Sequence, residues 1–87
     1  MNTATEVVTR ATRDGVAVLT IDNPPVNVLS AAVRAGLLAA VRVAEADATV
    51  VATVIACAGR TFIAGADVRE FGLPPIDPAL PIVLDAI

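Results

Sequence analysis

Ala58-Gly59-Arg60-Thr61-Phe62-Ile63-Ala64-Gly65-Ala66-Asp67-Val68-Arg69-Glu70-Phe71 follows directly on the most apolar run of the chain, Val50 to Ala58. A β-branched run that breaks into glycine and alanine, then restarts with charged residues, reads as strand, loop and new helix. Small side chains let a ligand approach the main chain. The first turn of a helix leaves N–H groups without partners. The stretch therefore reads as a binding loop made mostly of backbone, at the carboxyl end of a strand, where open α/β sheets bind ligands.

Working outward, Val50 to Ala56 is nearly unbroken in apolar and β-branched residues, which predicts a strand covered on both faces, as in a parallel sheet. Upstream of it, Ser30 is a candidate N-cap. Val33, Leu37, Ala40, Val41 and Ala44 then recur at helical spacing, which predicts an amphipathic helix to about Ala46 with Arg34, Arg42 and Glu45 off its apolar face. Glu6 to Arg13 and Val16 to Ile21 read as two strands, joined by the hairpin signal Asp14-Gly15. Asp22-Asn23-Pro24-Pro25 ends the second strand, and Val26 to Leu29 reads as a short extended link. After Gly72 a proline-rich linker leads to Asp77-Pro78, read as N-cap and first helical residue, and to a helix from Ala79 that is still apolar at Ile87. The fold class is α/β: β-hairpin, helix, buried strand, with the last helix cut rather than finished. Residues 1–87 are expected to be the N-terminal piece of a single domain.

Composition narrows the function. With 87 residues, 56% hydrophobic and 17% charged, the chain is very apolar for its size, so partner subunits or further polypeptide are expected to cover part of it. A net charge of −3, no Lys and scattered Arg disfavour a nucleic-acid partner. One cysteine and no histidine exclude an internal disulfide and disfavour a Cys/His metal site, so no metal is expected. Met1 to Glu6 lack a secretory pattern, and no apolar run is long enough for a membrane span; a reduced, cytoplasmic setting is expected. Without histidine there is no Ser–His or Cys–His nucleophile pair, and Cys57 reads as a buried inert thiol. Asp67 and Glu70 are neighbours on one helical face and read as first-turn acids, one pairing with Arg69, rather than as an acid/base pair. The glycines match neither a phosphate loop nor a dinucleotide fingerprint. What is left is main-chain donation, with the Ala66 N–H as a candidate for holding a developing oxyanion.

Asn23-Pro24-Pro25-Val26-Asn27-Val28-Leu29-Ser30, spaced by a helix and a strand from Gly59-Arg60-Thr61-Phe62-Ile63-Ala64-Gly65-Ala66-Asp67-Val68-Arg69-Glu70-Phe71, resembles the N-terminal part of the crotonase superfamily of enoyl-CoA hydratases and isomerases. The resemblance implies the start of the crotonase ββα spiral fold. It implies an acyl-CoA thioester as substrate, with Ala66 supplying the first oxyanion-hole N–H. Ala64, Gly65, Ala66 and Asp67 would line the thioester and the CoA portion, Ala64 would reach the adenine through its backbone, and Pro25 and Val26 would touch the CoA. The family's second N–H and its glutamate acid and base fall beyond residue 87, so the chain alone is expected to be inactive and Asp67 and Glu70 inherit no acid/base role. No cofactor is expected within the chain. Glu70-Phe71-Gly72-Leu73-Pro74-Pro75 and Leu80-Pro81 resemble the hydratase half of multifunctional fatty-acid oxidation proteins, in which a 3-hydroxyacyl-CoA dehydrogenase portion using NAD follows. Full-length members form trimers or dimers of trimers. The competing reading is a non-catalytic binding or assembly module derived from the same fold.

Overall fold

A computed structural model describes residues 7–87. Glu6, the expected first residue of the first strand, lies outside them. The elements in chain order are β1 (Val8–Arg13), β2 (Val16–Ile21), α1 (Ala31–Ala46), β3 (Ala52–Cys57), a single 3₁₀ turn (Val68–Glu70) and α2 (Leu80–Ala86). β1 and β2 pair antiparallel and β2 and β3 pair parallel, in the order β1-β2-β3.

The hairpin forms where the Asp-Gly signal places it. Asp14 and Gly15 have φ of 51° and 81°, as a two-residue turn of positive φ requires. Gly15 is held to glycine for a second reason. A Cβ there would lie 3.2 Å from Val51 Cγ2 and 3.3 Å from the Thr49 carbonyl, because the turn docks on the residues leading into β3. Its own carbonyl accepts from Val51 N–H at 2.7 Å.

β2 alternates as a half-covered strand should. Ala17, Leu19 and Ile21 are fully buried beneath α1, while Val16, Val18 and Thr20 face the other side and are half-buried. α1 starts at Ser30, whose hydroxyl accepts from Val33 N–H at 3.2 Å. Val33, Leu37, Leu38 and Val41 bring its apolar face onto Leu19 and Ile21, and Val83 of α2 closes the cluster. Each large side chain removed from water this way stabilises the fold by roughly 1.5–3 kcal/mol.

Four expectations are corrected. β3 is not covered on both faces: Ala52 to Val54 are exposed and Ile55 to Cys57 half-buried, because among the described residues α1 packs over β1 and β2 and leaves β3 at an open edge. Arg34 is not off the buried face of α1; it is itself buried. Residues 24–27 form a turn, with Asn27 at φ 55°, so of the extended link expected over Val26 to Leu29 only the Leu29 end pairs as a strand does, with Ala66. α2 starts at Leu80 after an N-cap at Ala79 that makes no side-chain cap, not at Asp77-Pro78. The Pro78 carbonyl is instead taken by the Arg34 Nε–H at 2.7 Å. Among the described residues no helix is long and apolar enough to cross a membrane.

Candidate functional site

Two loops leave the carboxyl ends of the parallel strands β2 and β3, and one side chain ties them together. Asn27 is buried at the end of the Pro24–Pro25 turn. Its Oδ1 accepts from Asn23 N–H at 2.8 Å, which closes the turn. Its Nδ2 donates across to the carbonyls of Ala58 at 3.0 Å and Thr61 at 2.7 Å, in the loop after β3. The positive φ of Asn27 is a conformation that asparagine tolerates better than most residues. Asn23 adds a bond from its Nδ2 to the Val28 carbonyl at 3.0 Å. The motif asparagines are thus structural staples that fix the relative position of the two loops.

The second tie is backbone to backbone. Leu29 pairs in parallel with Ala66, and its N–H donates to the Gly65 carbonyl at 2.8 Å. Gly65 takes φ 137°, a region that side chains rarely adopt. A Cβ there would meet nothing within 4 Å, so the demand for glycine is conformational and not one of space. Among the described residues, the N–H groups of Ala64, Gly65 and Ala66 donate to no acceptor of the protein. Ala64 and Ala66 are exposed and Gly65 is half-buried. A short strip of unpaired main-chain donors therefore lies at the surface, fixed from behind by Asn27 and Leu29. Such a strip suits a carbonyl oxygen or an anion.

Behind Ala66 the sequence predicts a helix whose N-terminus reinforces this donor. The structure has only one 3₁₀ turn there, too short for an appreciable dipole. Asp67 caps that turn: its Oδ1 accepts from Arg69 N–H at 3.0 Å and Nε–H at 2.9 Å, and its Oδ2 from Nη2–H at 2.8 Å. The hydrogen bonds from Arg69, above all from its side chain, hold the Asp67 carboxyl below the usual carboxylate range. The carboxylate is buried and bonded to the exposed Arg69 guanidinium.

Glu70 does not join Asp67 or Arg69. Its Oε1 pairs with Arg34 Nη2 at 2.9 Å, and its Oε2 accepts from Ala31 N–H, the first residue of α1, at 2.9 Å. Arg34 spends its remaining donors on the carbonyls of Leu29 at 2.8 Å, Ile76 at 2.9 Å and Pro78 at 2.7 Å. The helical spacing placed Arg34 off the apolar face of α1. The available signal was its position, four residues after the N-cap and one after core Val33. A shallow cleft of about 270 Å³ opens beside this network, lined among others by Arg34, Ala66, Asp67, Glu70, Phe71 and Leu80. Pro25 and Val26 do not line it; they are exposed at the tip of the 24–27 turn. Cys57, at the end of β3, is half-buried, and desolvation pushes its thiol above the ordinary value.

The hairpin–helix–strand frame has counterparts among solved structures. The family profile described as enoyl-CoA hydratase/isomerase matches residues 11–74. The chain belongs to the enoyl-CoA hydratase/isomerase family. Among curated relatives, it is 46% identical over 72 residues to a peroxisomal bifunctional enzyme of Danio rerio, covering 83% of this chain and 10% of that one. It is 48% identical over 56 residues to a probable enoyl-CoA hydratase of Bacillus subtilis, covering 64% of this chain and 22% of the relative. Its backbone superposes on the enoyl-CoA hydratase from Mycobacterium tuberculosis H37Rv with a TM-score of 0.70 at 34% identity, over 84% of this chain and 34% of that structure. An enoyl-CoA hydratase/isomerase family protein from Silicibacter pomeroyi gives a TM-score of 0.69 at 33% identity, over 91% and 34%. The chain thus spans about a third or less of the relatives it matches, and the crotonase-type hairpin, helix and strand expected from the sequence are the part it shares with them.

Proposed function

We propose that this chain is the acyl-CoA-binding N-terminal portion of an enoyl-CoA hydratase/isomerase of fatty-acid oxidation, and that the Ala66 N–H is one of the donors of its oxyanion hole. The observation that carries the reading is the surface strip of unpaired N–H groups at Ala64, Gly65 and Ala66, held in place by Asn27 and Leu29. When water adds to the β-carbon of an enoyl thioester, the electron pair of the double bond moves toward the thioester oxygen. A donor aimed at that oxygen binds the enolate-like state more tightly than the substrate, and so lowers the barrier. Ala64, Gly65 and Asp67 would lie along the thioester and CoA, and Pro25 and Val26 would touch the CoA from the turn tip.

A second backbone donor and the glutamates that move protons are expected on polypeptide beyond residue 87. A dehydrogenase portion using NAD, and assembly into trimers or dimers of trimers, belong to the same proposal for the whole protein. So does the cytoplasmic setting, beside the peroxisomal one in the name of the Danio rerio relative. Calorimetric titration of the 87-residue chain with crotonyl-CoA is expected to show saturable binding, with no hydration of the ligand above the rate in buffer. Absence of binding overturns the acyl-CoA reading, and clean hydration overturns the assignment of the acid/base groups to later sequence.

One observation favours an assembly module as the second reading. Val51, Phe62, Val68 and Phe71 are 83%, 59%, 69% and 68% exposed, a large apolar surface for so small a unit. Concentration-dependent self-association without crotonyl-CoA binding is the result that this alternative expects.

A further inference from the structure

The Arg34–Glu70 network is not needed by the reading above, yet it reaches the donor strip from two sides. Arg34 is 8% exposed, in a helix position where an arginine ordinarily points to water. Every one of its side-chain nitrogens donates, and the acceptors belong to three separate segments: Leu29, Glu70, and the loop carrying Ile76 and Pro78. Leu29 is the residue that pairs with Ala66, so its two peptide groups are tied in opposite directions. Its N–H goes to Gly65 and its carbonyl goes to Arg34. Glu70 lies four residues beyond Ala66 and is tied to the same guanidinium and to the first N–H of α1. The strip from Gly65 to Glu70 is therefore clamped at both ends to the N-terminal turn of α1.

We propose that Arg34 and Glu70 are positioning residues that set the direction of the Ala66 N–H toward the thioester oxygen, acting through Leu29 and the 3₁₀ turn without touching the ligand. This rests on the acyl-CoA reading of the strip. A buried ion pair adds little net stability, because desolvation offsets its attraction. A planar fork with five fixed donors is instead suited to holding several segments at set distances. Donor direction matters because a hydrogen bond weakens steeply as its angle closes.

The chemistry of Glu70 offers a sharp test. Two donors, Arg34 Nη2–H and Ala31 N–H, converge on its two oxygens. Glu70→Gln keeps the shape but replaces one acceptor by an NH₂, which must face a donor. Two measurements on the 87-residue chain read the result. The first is amide hydrogen exchange without ligand. Loosening of the clamp accelerates exchange of the Leu29 N–H about 10-fold or more, while the Leu19 and Ile21 amides of β2 keep their rates. A merely structural role accelerates all three together. The second is the ratio of crotonyl-CoA to free CoA affinity. Glu70→Gln is expected to leave CoA binding unchanged and to bring the crotonyl-CoA preference down toward unity. Arg34→Lys, which keeps the charge and loses the fork, is expected to do the same.

Unchanged Leu29 exchange in both variants overturns the clamp, as does equal acceleration of Leu29 and β2 in Glu70→Gln; Arg34→Lys also lowers the global stability that protects β2, so only its Leu29 rate is read. If the unsubstituted chain binds no crotonyl-CoA, the functional reading fails, and the exchange measurement still decides whether the clamp exists. If Leu29 exchange accelerates selectively but the crotonyl-CoA preference stays, the clamp does not position the donor and the proposal is overturned.

Discussion

Replacing Asn27 by Ala is expected to lower the unfolding free energy by about 3–5 kcal/mol, read from chemical denaturation midpoints at unchanged slope. The substitution removes three hydrogen bonds at once and strands their partners: the Asn23 N–H and the Ala58 and Thr61 carbonyls. Each net bond contributes about 1 kcal/mol, and a buried group left unpaired costs more than the bond it lost. Alanine at φ 55° adds roughly 1–2 kcal/mol of backbone strain. Two variants separate the terms. Asn27→Gly relieves the strain but not the stranded partners, so it recovers only part of the loss. Asn27→Asp keeps the acceptor toward Asn23 while setting a carboxylate against two carbonyls, so it does no better than Ala. A domain of this size has a total stability of about 4–13 kcal/mol, so the loss is a large fraction of what holds it together. An Asn27→Ala chain within about 0.5 kcal/mol of the parent contradicts the staple, since that is the scatter of surface substitutions.

Arg34→Met is the second large effect, expected at about 3 kcal/mol or more by the same measurement. Methionine follows the aliphatic stem, so the packing that the stem makes is largely kept. What is lost is polar: the carbonyls of Leu29, Ile76 and Pro78 lose their donor, and Glu70 loses its counter-charge while its side chain is 22% exposed. Partial exposure of Glu70 keeps the charge penalty below that of a fully buried carboxylate, so the carbonyls account for most of the effect. Arg34→Lys is expected to restore less than half of it, because one ammonium on a flexible stem does not reach four acceptors on three segments. Loss of about 0.5 kcal/mol or less in Arg34→Met assigns the network a negligible part in stability.

These two sites mark the boundary of what the sequence reveals. Short-range signals were legible. Asp14-Gly15 demanded positive φ at both turn residues, Ser30 capped a helix whose apolar spacing ran to Ala46, and the β-branched run after Thr49 formed a strand parallel to β2. Each depends on residues within a few positions of one another. The hydrogen bonds of Asn27 to Ala58 and Thr61, and of Arg34 to Ile76 and Pro78, join residues more than thirty positions apart. They leave no periodicity behind, and their acceptors are carbonyls, which every residue carries. Arg34 in particular sits one residue from core Val33, and only the tertiary position of the loop at 76–78 decides that it points inward. The covering of β3 was misjudged for a different reason. An apolar strand reports that both faces are meant to be dry, and not which residues dry them; within the described residues Val54 stays 46% and Val51 83% exposed.

The donor strip was legible in part. Two glycines and a cluster of alanines pointed to exposed backbone at Ala64 to Ala66; singling out the Ala66 N–H within it is an expectation drawn from the sequence resemblance. What the residues alone did not show is that the support behind it comes from Asn27, Leu29, Arg34 and Glu70 rather than from a helix N-terminus.

The most direct test of the central claim is the amide resonance of Ala66 in the ¹⁵N-labelled chain, followed during titration with crotonyl-CoA and, separately, with free CoA. A backbone donor that binds the thioester oxygen moves its proton resonance downfield as crotonyl-CoA saturates, and free CoA, which has no acyl carbonyl, leaves that proton where it was. Chemical-shift changes confined to other residues, or an Ala66 response identical for the two ligands, contradict it.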